Sequence, residues 1–579
     1  MFKLFKNLGK KQLLFMLISI SLVVVQVLLD LRLPDYMSNI TTLVQTEGSL
    51  HDILMEGAKM LGCAFLSLGT SIIVGYLATY LASSFGNITR GKIYRKVLGF
   101  STSEIKEFSV ASLITRTTND VGQVQMLISF GLQALIKAPI MAILAIIKIY
   151  GKNFSFSLIT FMAVVILLIL IVIIISIVIP RFKIVQKLTD NLNRITRENL
   201  TGIRVIRAFN AEDYQNNKFQ SANNDLTNTQ LFNQRVLGIM SPVMTMITST
   251  LTLAIYVVGA ILINEAGILD KITIFSDMVV FSTYAMQVIM SFMMLVMIFL
   301  IYPRASVSAT RILEVLESNE KIKDGELSHG KEIGTVEFKN VTFKYPDADE
   351  CMIHDVSFAI NKGETVGIIG GTGSGKSTLV NLIPRFYDAT SGKILVDGID
   401  VRDYKLENLY EKIGYVSQKA VIFSKTIKEN VSYGKKRTSD EKILDAIKVS
   451  EAYEFVSKLD NGINYEIARG GTNISGGQKQ RLQLARAIAK DPEIYIFDDS
   501  FSALDNETDL RVRKNLKKYT KDATRIIVAS RIGTIINADK IIVLEHGEIV
   551  GIGTHKDLLK NCPIYKEIAK SQLSEEELA

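Results

Sequence analysis

Residues 366–378, Val-Gly-Ile-Ile-Gly-Gly-Thr-Gly-Ser-Gly-Lys-Ser-Thr, decide how the chain is read. A β-branched run, Thr365 to Ile369, leads into Gly370; four residues later come Gly375, Lys376 and Ser377, with a helical pattern from Thr378 to Ile383 behind them. The order is strand, phosphate loop, helix. Glycines at 370, 371, 373 and 375, with Thr372 and Ser374 between them, let the backbone wrap closely round a polyphosphate. Its N–H groups and the N-terminus of the following helix then point at the anion. Lys376 is placed to reach the β- and γ-phosphates and the Ser377 hydroxyl to ligate Mg²⁺, so nucleotide binding is expected.

Working outward, 579 residues are too many for one core, and the chain has 48% hydrophobic residues, only 9 prolines and no tryptophan. Two or more domains are expected. The formal charge of +8 comes from basic residues spread through segments that flank apolar spans, with no aromatic-interleaved patch, so a membrane accounts for it and nucleic acid does not. Cys63, Cys351 and Cys562 are far apart and without metal spacing, which points to no disulfide framework and no zinc site.

The N-terminus carries four lysines before an apolar run over 13–33 that has no cleavage site and is too long for a signal-peptide core. Further apolar stretches lie near 58–82, 129–150, 156–179, 239–263 and 277–302, each long enough to cross the ~30 Å hydrocarbon layer as a helix. Lysine and arginine counts alternate along the connections: four in the N-terminal segment, six over 83–128 and nine over 181–238, against none over 34–57 and one each over 151–155 and 264–276. The positive-inside rule then places both termini, and everything after Tyr302, in the cytoplasm.

The two long inner connections are rich in helix formers and read as membrane helices that continue beyond the bilayer and turn once. The turns are expected near 107–112 and 199–205, each with a short helix suited to press on a cytoplasmic domain; passive packing gives the same spacing. Residues 1–317 thus form an all-α membrane domain, 318–334 a linker of charge, Gly and Ser, 335–572 an α/β domain with a largely parallel sheet, and 573–579 a tail.

Two further stretches in the α/β domain handle phosphate. Ile494-Tyr-Ile-Phe-Asp498 reads as a buried strand ending in a carboxylate that would hold Mg²⁺, and Ile474-Ser-Gly-Gly-Gln478 opens a helix whose N-terminus offers free amides. With these the chain resembles an ATP-binding cassette (ABC) exporter of the half-transporter, multidrug type, one membrane domain followed by one P-loop nucleotide-binding domain. Ile474 to Gln478 is similar to the family's Leu-Ser-Gly-Gly-Gln signature, with Ile for Leu.

The resemblance covers essentially the whole chain and implies roles. Gly370, Gly371, Thr372, Gly373, Ser374, Gly375, Lys376, Ser377 and Thr378 would hold ATP, Tyr345 would stack on adenine, and Gln418 would sense Mg²⁺, which Ser377 and Asp498 also face. Asp505 in Ser502-Ala-Leu-Asp505 matches the D-loop, and the two inner turns match coupling helices. Two chains in this family sandwich two ATP molecules, each between one chain's phosphate loop and the other's signature, so Ser475, Gly476, Gly477 and Gln478 would serve the partner's ATP.

The departures are informative. Asp499 stands where the family has a glutamate that polarises the attacking water; a carboxylate drawn back by ~1.5 Å can cost on the order of a hundredfold. Ser530 stands where the family has its switch histidine, and Arg469-Gly470-Gly471 where chains with two equivalent sites carry Glu-Arg-Gly. The expectation is an ATP site impaired in hydrolysis and a heterodimer whose other chain keeps the complete catalytic residues.

Substrate is less legible. Met286, Met290, Met293, Met294 and Met297 share one helical face of the last span, which suits a cavity for amphiphilic, drug-like molecules and equally suits packing or lipid contact. Lys137, in or near the third span, either faces a wet cavity or snorkels to the inner interface. A lipid or peptide exporter, a homodimeric exporter and a non-transporting ATP-dependent regulator share the same motifs.

Overall fold

A computed structural model describes residues 2–5, 9–149, 154–330, 332–434 and 438–573. The end of the third apolar stretch at residue 150, most of the connection 151–155 and the tail from 574 lie outside the described residues. The chain divides into two compact units, one of Met1–Leu98 with Ala111–Ser318, the other of Gly99–Val110 with Asn319–Ala579.

Among the described residues, six helices in the first unit are long and apolar enough to cross a membrane. Their extents are Lys10–Gln45, Leu50–Leu98, Val121–Ile149 with the turns leading into it, Phe154–Thr201, Glu212–Glu265 and Ile268–Glu317. At ~1.5 Å per residue, helices of 48 to 54 residues are more than twice the hydrocarbon thickness, so the apolar stretches occupy only part of each. The first helix packs along the second, the third along the sixth and the fourth along the fifth. Their shared core joins Val27, Leu31, Met141, Leu167 and Tyr284, with Phe156 against Phe281 at 5.2 Å between rings. The outward faces carry Leu66, Phe161, Ile166 and Val172, all exposed, a surface that hydrocarbon tolerates and water does not.

Two charged groups of the first helix, Asp30 and Asp35, are paired across the bundle. Lys137 Nζ lies 3.0 Å from Asp30 on the first helix, and Asp30 also takes the Ser67 hydroxyl from the second. Lys137 is therefore paired on a neighbouring helix, an arrangement that low-dielectric surroundings favour over a lone charge. Asp35, one turn and a half further along, accepts from Tyr284 at 2.8 Å and Lys148 at 2.6 Å.

The turns fall slightly differently from the sequence expectation. The first short helix is Thr102–Phe108, starting before the expected 107–112 because Ser101 and Glu104 form a capping box, and it ends at Ser109 with φ 60°. Residues 99–110 also group with the second unit rather than with the membrane helices. Lys321 accounts for it: its backbone N–H donates to the carboxylate of Glu104, a residue 2% exposed, at 2.7 Å, and its ammonium to Glu107 at 3.0 Å, while Ser101 N–H also donates to Glu104 at 2.8 Å. The second turn breaks at Gly202, and the helix Ile203–Ala208 has no buried residue. Nor is the linker loose, since Gly325 N donates to Tyr404 O at 3.0 Å and Lys405 N to Leu327 O at 2.8 Å, making it an edge of the second unit.

The second unit is built on a six-stranded sheet, in which β3 (Thr365–Gly370), β6 (Ile413–Val416), β7 (Ile494–Asp498), β8 (Thr524–Val528) and β9 (Lys540–Glu545) run parallel. The antiparallel β10 (Glu548–Gly553) sits at the edge, in the order β10-β9-β3-β8-β7-β6. Alternate residues of one strand enter opposite cores: Ile494 and Ile496 face one layer, Tyr495 and Phe497 the other. Burial on both faces is why these strands read as continuous apolar runs. A separate antiparallel sheet, β2-β1-β4-β5, made of β1 (Val336–Phe343), β2 (Ile353–Ile360), β4 (Ser391–Val396) and β5 (Ile399–Asp400), was not legible as such. Its strands alternate in burial, and register must be known before their partners can be.

Candidate functional site

Four neighbouring parallel strands deliver their carboxyl ends to one place, where an open α/β sheet binds ligands. β3 ends in the loop 370–375 and the helix Lys376–Leu382, β7 in Asp498 and Asp499, β8 in Ser530 two residues on, and β6 in Gln418 two residues on. Asp498 pairs in register with Val528, and Asp499 N donates to Val528 O at 3.1 Å, which fixes their relative heights.

The loop is shaped for an anion. Gly375 and Gly373 have φ of 95° and 82°, which side chains rarely adopt, and a Cβ on Gly370 would lie 2.0 Å from Leu544 O. At Gly371 and Gly373 a Cβ would meet nothing within 4 Å, so the backbone faces open space there. Thr372 is exposed and Ser374 buried. Lys376 Nζ donates to Gly370 O at 2.9 Å and Gly371 O at 2.7 Å, curled back over the loop. Burial lowers its pKa, while the Asp499 and Asp498 carboxylates oppose that.

Ser377 Oγ donates to Asp498 Oδ1 at 2.7 Å, setting two hard oxygens side by side as Mg²⁺ requires. The residues present thus fit a nucleotide with its divalent cation. The Tyr415 hydroxyl, which sequence reasoning passed over, lies 2.8 Å from Asn381 Oδ1 and 3.2 Å from Asp498 Oδ2. Burial raises the Asp498 pKa, against hydrogen bonds from Ser377 and Tyr415.

Asp499 has φ 45° and its carboxylate is taken at both oxygens, by Gln418 Nε2 at 3.3 Å and by Ser530 Oγ at 3.1 Å. The structure therefore brings together Lys376, Ser377, Gln418, Asp498, Asp499 and Ser530. Tyr345 lies beside the same helix: its hydroxyl is 2.9 Å from Thr378 Oγ1, its ring meets Phe343 and Tyr387 edge-on, and Lys106 Nζ sits 4.8 Å from its centroid.

Ser475, Gly476, Gly477 and Gln478 lie elsewhere on the unit, opening the helix Gly476–Lys490. Ser475 and Gln478 form a capping box, with Gln478 N donating to Ser475 Oγ at 3.3 Å and Ser475 N to Gln478 Oε1 at 2.8 Å. This leaves the serine proton and the first helical amides available to an outside anion. Asp505 caps the helix Asn506–Tyr519 by accepting from Thr508 N at 2.9 Å. On the last membrane helix Met286, Met290, Met294 and Met297 are exposed, while Met293 packs against the bundle core.

Fold and site together define a membrane protein with a fused P-loop nucleotide-binding domain. Residues 353–502 match the ABC transporter family and residues 16–292 the ABC transporter transmembrane region. An uncharacterized ABC transporter ATP-binding protein of Mycobacterium tuberculosis is 37% identical over 568 residues, 97% of this chain and 96% of the relative. The ATP-dependent lipid A-core flippase of Francisella tularensis is 30% identical, covering 91% of this chain and 86% of the relative. A solved bacterial Atm1-family ABC exporter with ATP bound superimposes with a TM-score of 0.80 over 98% of this chain and 99% of that one, at 22% identity. The chain belongs to the ABC transporters, in the group that fuses transmembrane and nucleotide-binding domains and is homologous to the ABC exporters.

Proposed function

We propose that this chain is one half of an ATP-driven exporter of amphiphilic small molecules in the cell membrane. In this reading its termini and nucleotide-binding domain lie in the cytoplasm, and its own site binds ATP but hydrolyses it slowly. The observation that carries the slow site is the tether on Asp499. A carboxylate already shorter than the family's glutamate is held by Gln418 and Ser530, and a serine cannot supply an imidazole to the γ-phosphate. When bound, Mg²⁺ would neutralise phosphate charge and orient the terminal phosphoryl group. Gly370 to Thr378 then bind, Lys376 and Gln418 orient, and Tyr345 stacks on the base.

The signature helix keeps a free N-terminus at Ser475 to Gly477, which supports a role at a partner's site. A heterodimer follows, in which this chain completes a competent site on a second ABC half-transporter that retains the glutamate and the histidine. The short helices at Thr102–Phe108 and Ile203–Ala208 then carry nucleotide-driven motion to the spans. The flippase relative favours a lipid-like amphiphile as a second reading of the substrate.

ATPase and vesicle-transport assays test this with the full-length chain, alone and with the partner that co-purifies from its native membrane. Little ATPase alone, restored turnover with the partner and ATP-dependent movement of an amphiphile are expected. Robust turnover by the chain alone defeats the slow site, and no substrate movement with the partner present defeats export.

A further inference from the structure

The C-terminal helix Pro563–Gln572 is anchored on the sheet core through Tyr565 and Ala569, both fully buried, and its last residue reaches the loop after β8. Gln572 Nε2 donates to the Ser530 carbonyl at 3.0 Å, and Gln572 Oε1 accepts from the Ile532 N–H at 2.8 Å. The orientation of the amide is forced, since a carbonyl only accepts and a backbone N–H only donates.

This contact meets a local need. Ile532 opens the short helix Ile532–Ile535, whose N-cap residue is Arg531, and an arginine side chain has no acceptor for the first amides. Gln572 supplies that acceptor from another element. The loop it clamps is the one whose Ser530 hydroxyl bonds Asp499. A line of contacts thus runs from the core through Ala569 and Gln572 to Ser530 and on to Asp499.

We infer that Gln572 is a positioning residue of the ATP site: it fixes the loop 530–532, and through the Ser530 side chain it holds Asp499 in place. Gln572 does not touch nucleotide in this arrangement. Its side chain is exposed, so truncating it opens no cavity in the core.

The inference rests on the slow-site reading only in its choice of readout, the lifetime of labelled ATP retained by this chain. The full-length chain in its native assembly is loaded with radiolabelled ATP and Mg²⁺ and chased with unlabelled ATP. Gln572→Ala is expected to shorten the lifetime about fivefold, and to change it less than about twofold when Ser530→Ala is already present, because only residues acting as a unit are non-additive. Gln572→Glu keeps the acceptor for Ile532 and loses the donor to Ser530, so an intermediate lifetime is expected. Equal shortening with and without Ser530, or none with it, overturns the inference. Label recovered promptly as ADP would instead sink the slow-site reading, and the Ser530 dependence would still decide the role of Gln572.

Discussion

At Asp499 two donors converge on one carboxylate, and in the proposed reading the slow hydrolysis turns on what that leaves for a water molecule. Replacing Asp499 with Glu and Ser530 with His together should raise single-turnover hydrolysis of ATP prebound in this site by at least about tenfold, since a well-placed acid–base group contributes ~10²–10⁴. No gain from the pair would show that something other than these two positions slows the site. A second residue-scale outcome concerns Glu104. Burial pushes its carboxyl up, but bonds from Ser101 and the Lys321 backbone outweigh that and leave its pKa below the usual glutamate value. A depressed folded pKa means that its stabilising contribution is full above the ordinary value near 4.5 and fades as pH falls through the lower folded value. Glu104→Ala should therefore lower stability at neutral pH by about 1–3 kcal/mol, and the difference from the unaltered chain should shrink in acid. Thermal melts across pH 3–7 would read this, and a constant difference would contradict it.

At the scale of elements, the phosphate loop and the strand ending at Asp498 were legible because everything that specifies them is local: a β-branched run, glycines where φ is positive, a helix behind. The six apolar helices were legible because a bilayer imposes length and composition. What was not legible is what pairs across distance. Glu104 meets Lys321 from 217 residues away, and Gln572 meets Ser530 from 42 away, contacts that no local pattern in the chain specifies. Lys137 looked like a lone charge because its partner, Asp30, lies on another helix. Caps were half-visible: Asp505 was read for the D-loop, yet in this fold it also begins a 14-residue helix. Asp505→Ala should cost about 1 kcal/mol of stability from the lost cap alone, and Asp505→Asn, which can still cap, much less. Denaturant unfolding of the two variants separates capping from any role in turnover, and equal losses would rule the cap out as the cause.

At the scale of the whole molecule, the proposed function gives the two ends of the ATP machinery different states of repair. In the proposed reading the site formed by Lys376, Ser377, Asp498, Asp499 and Ser530 binds ATP and hydrolyses it slowly, while the helix opened by Ser475 offers its exposed N-terminus to an anion. On that proposal the chain serves a partner that keeps its own hydrolytic residues. The most direct measurement is the steady-state ATPase rate of the assembled complex carrying Ser475→Arg, compared with Asp499→Asn, with assembly checked by gel filtration. A bulky cation in the place of Ser475 should abolish most turnover by filling the space for the partner's phosphate, whereas Asp499→Asn should change the rate little. Equal loss from both substitutions would mean that both sites hydrolyse ATP, and would contradict an asymmetric pair.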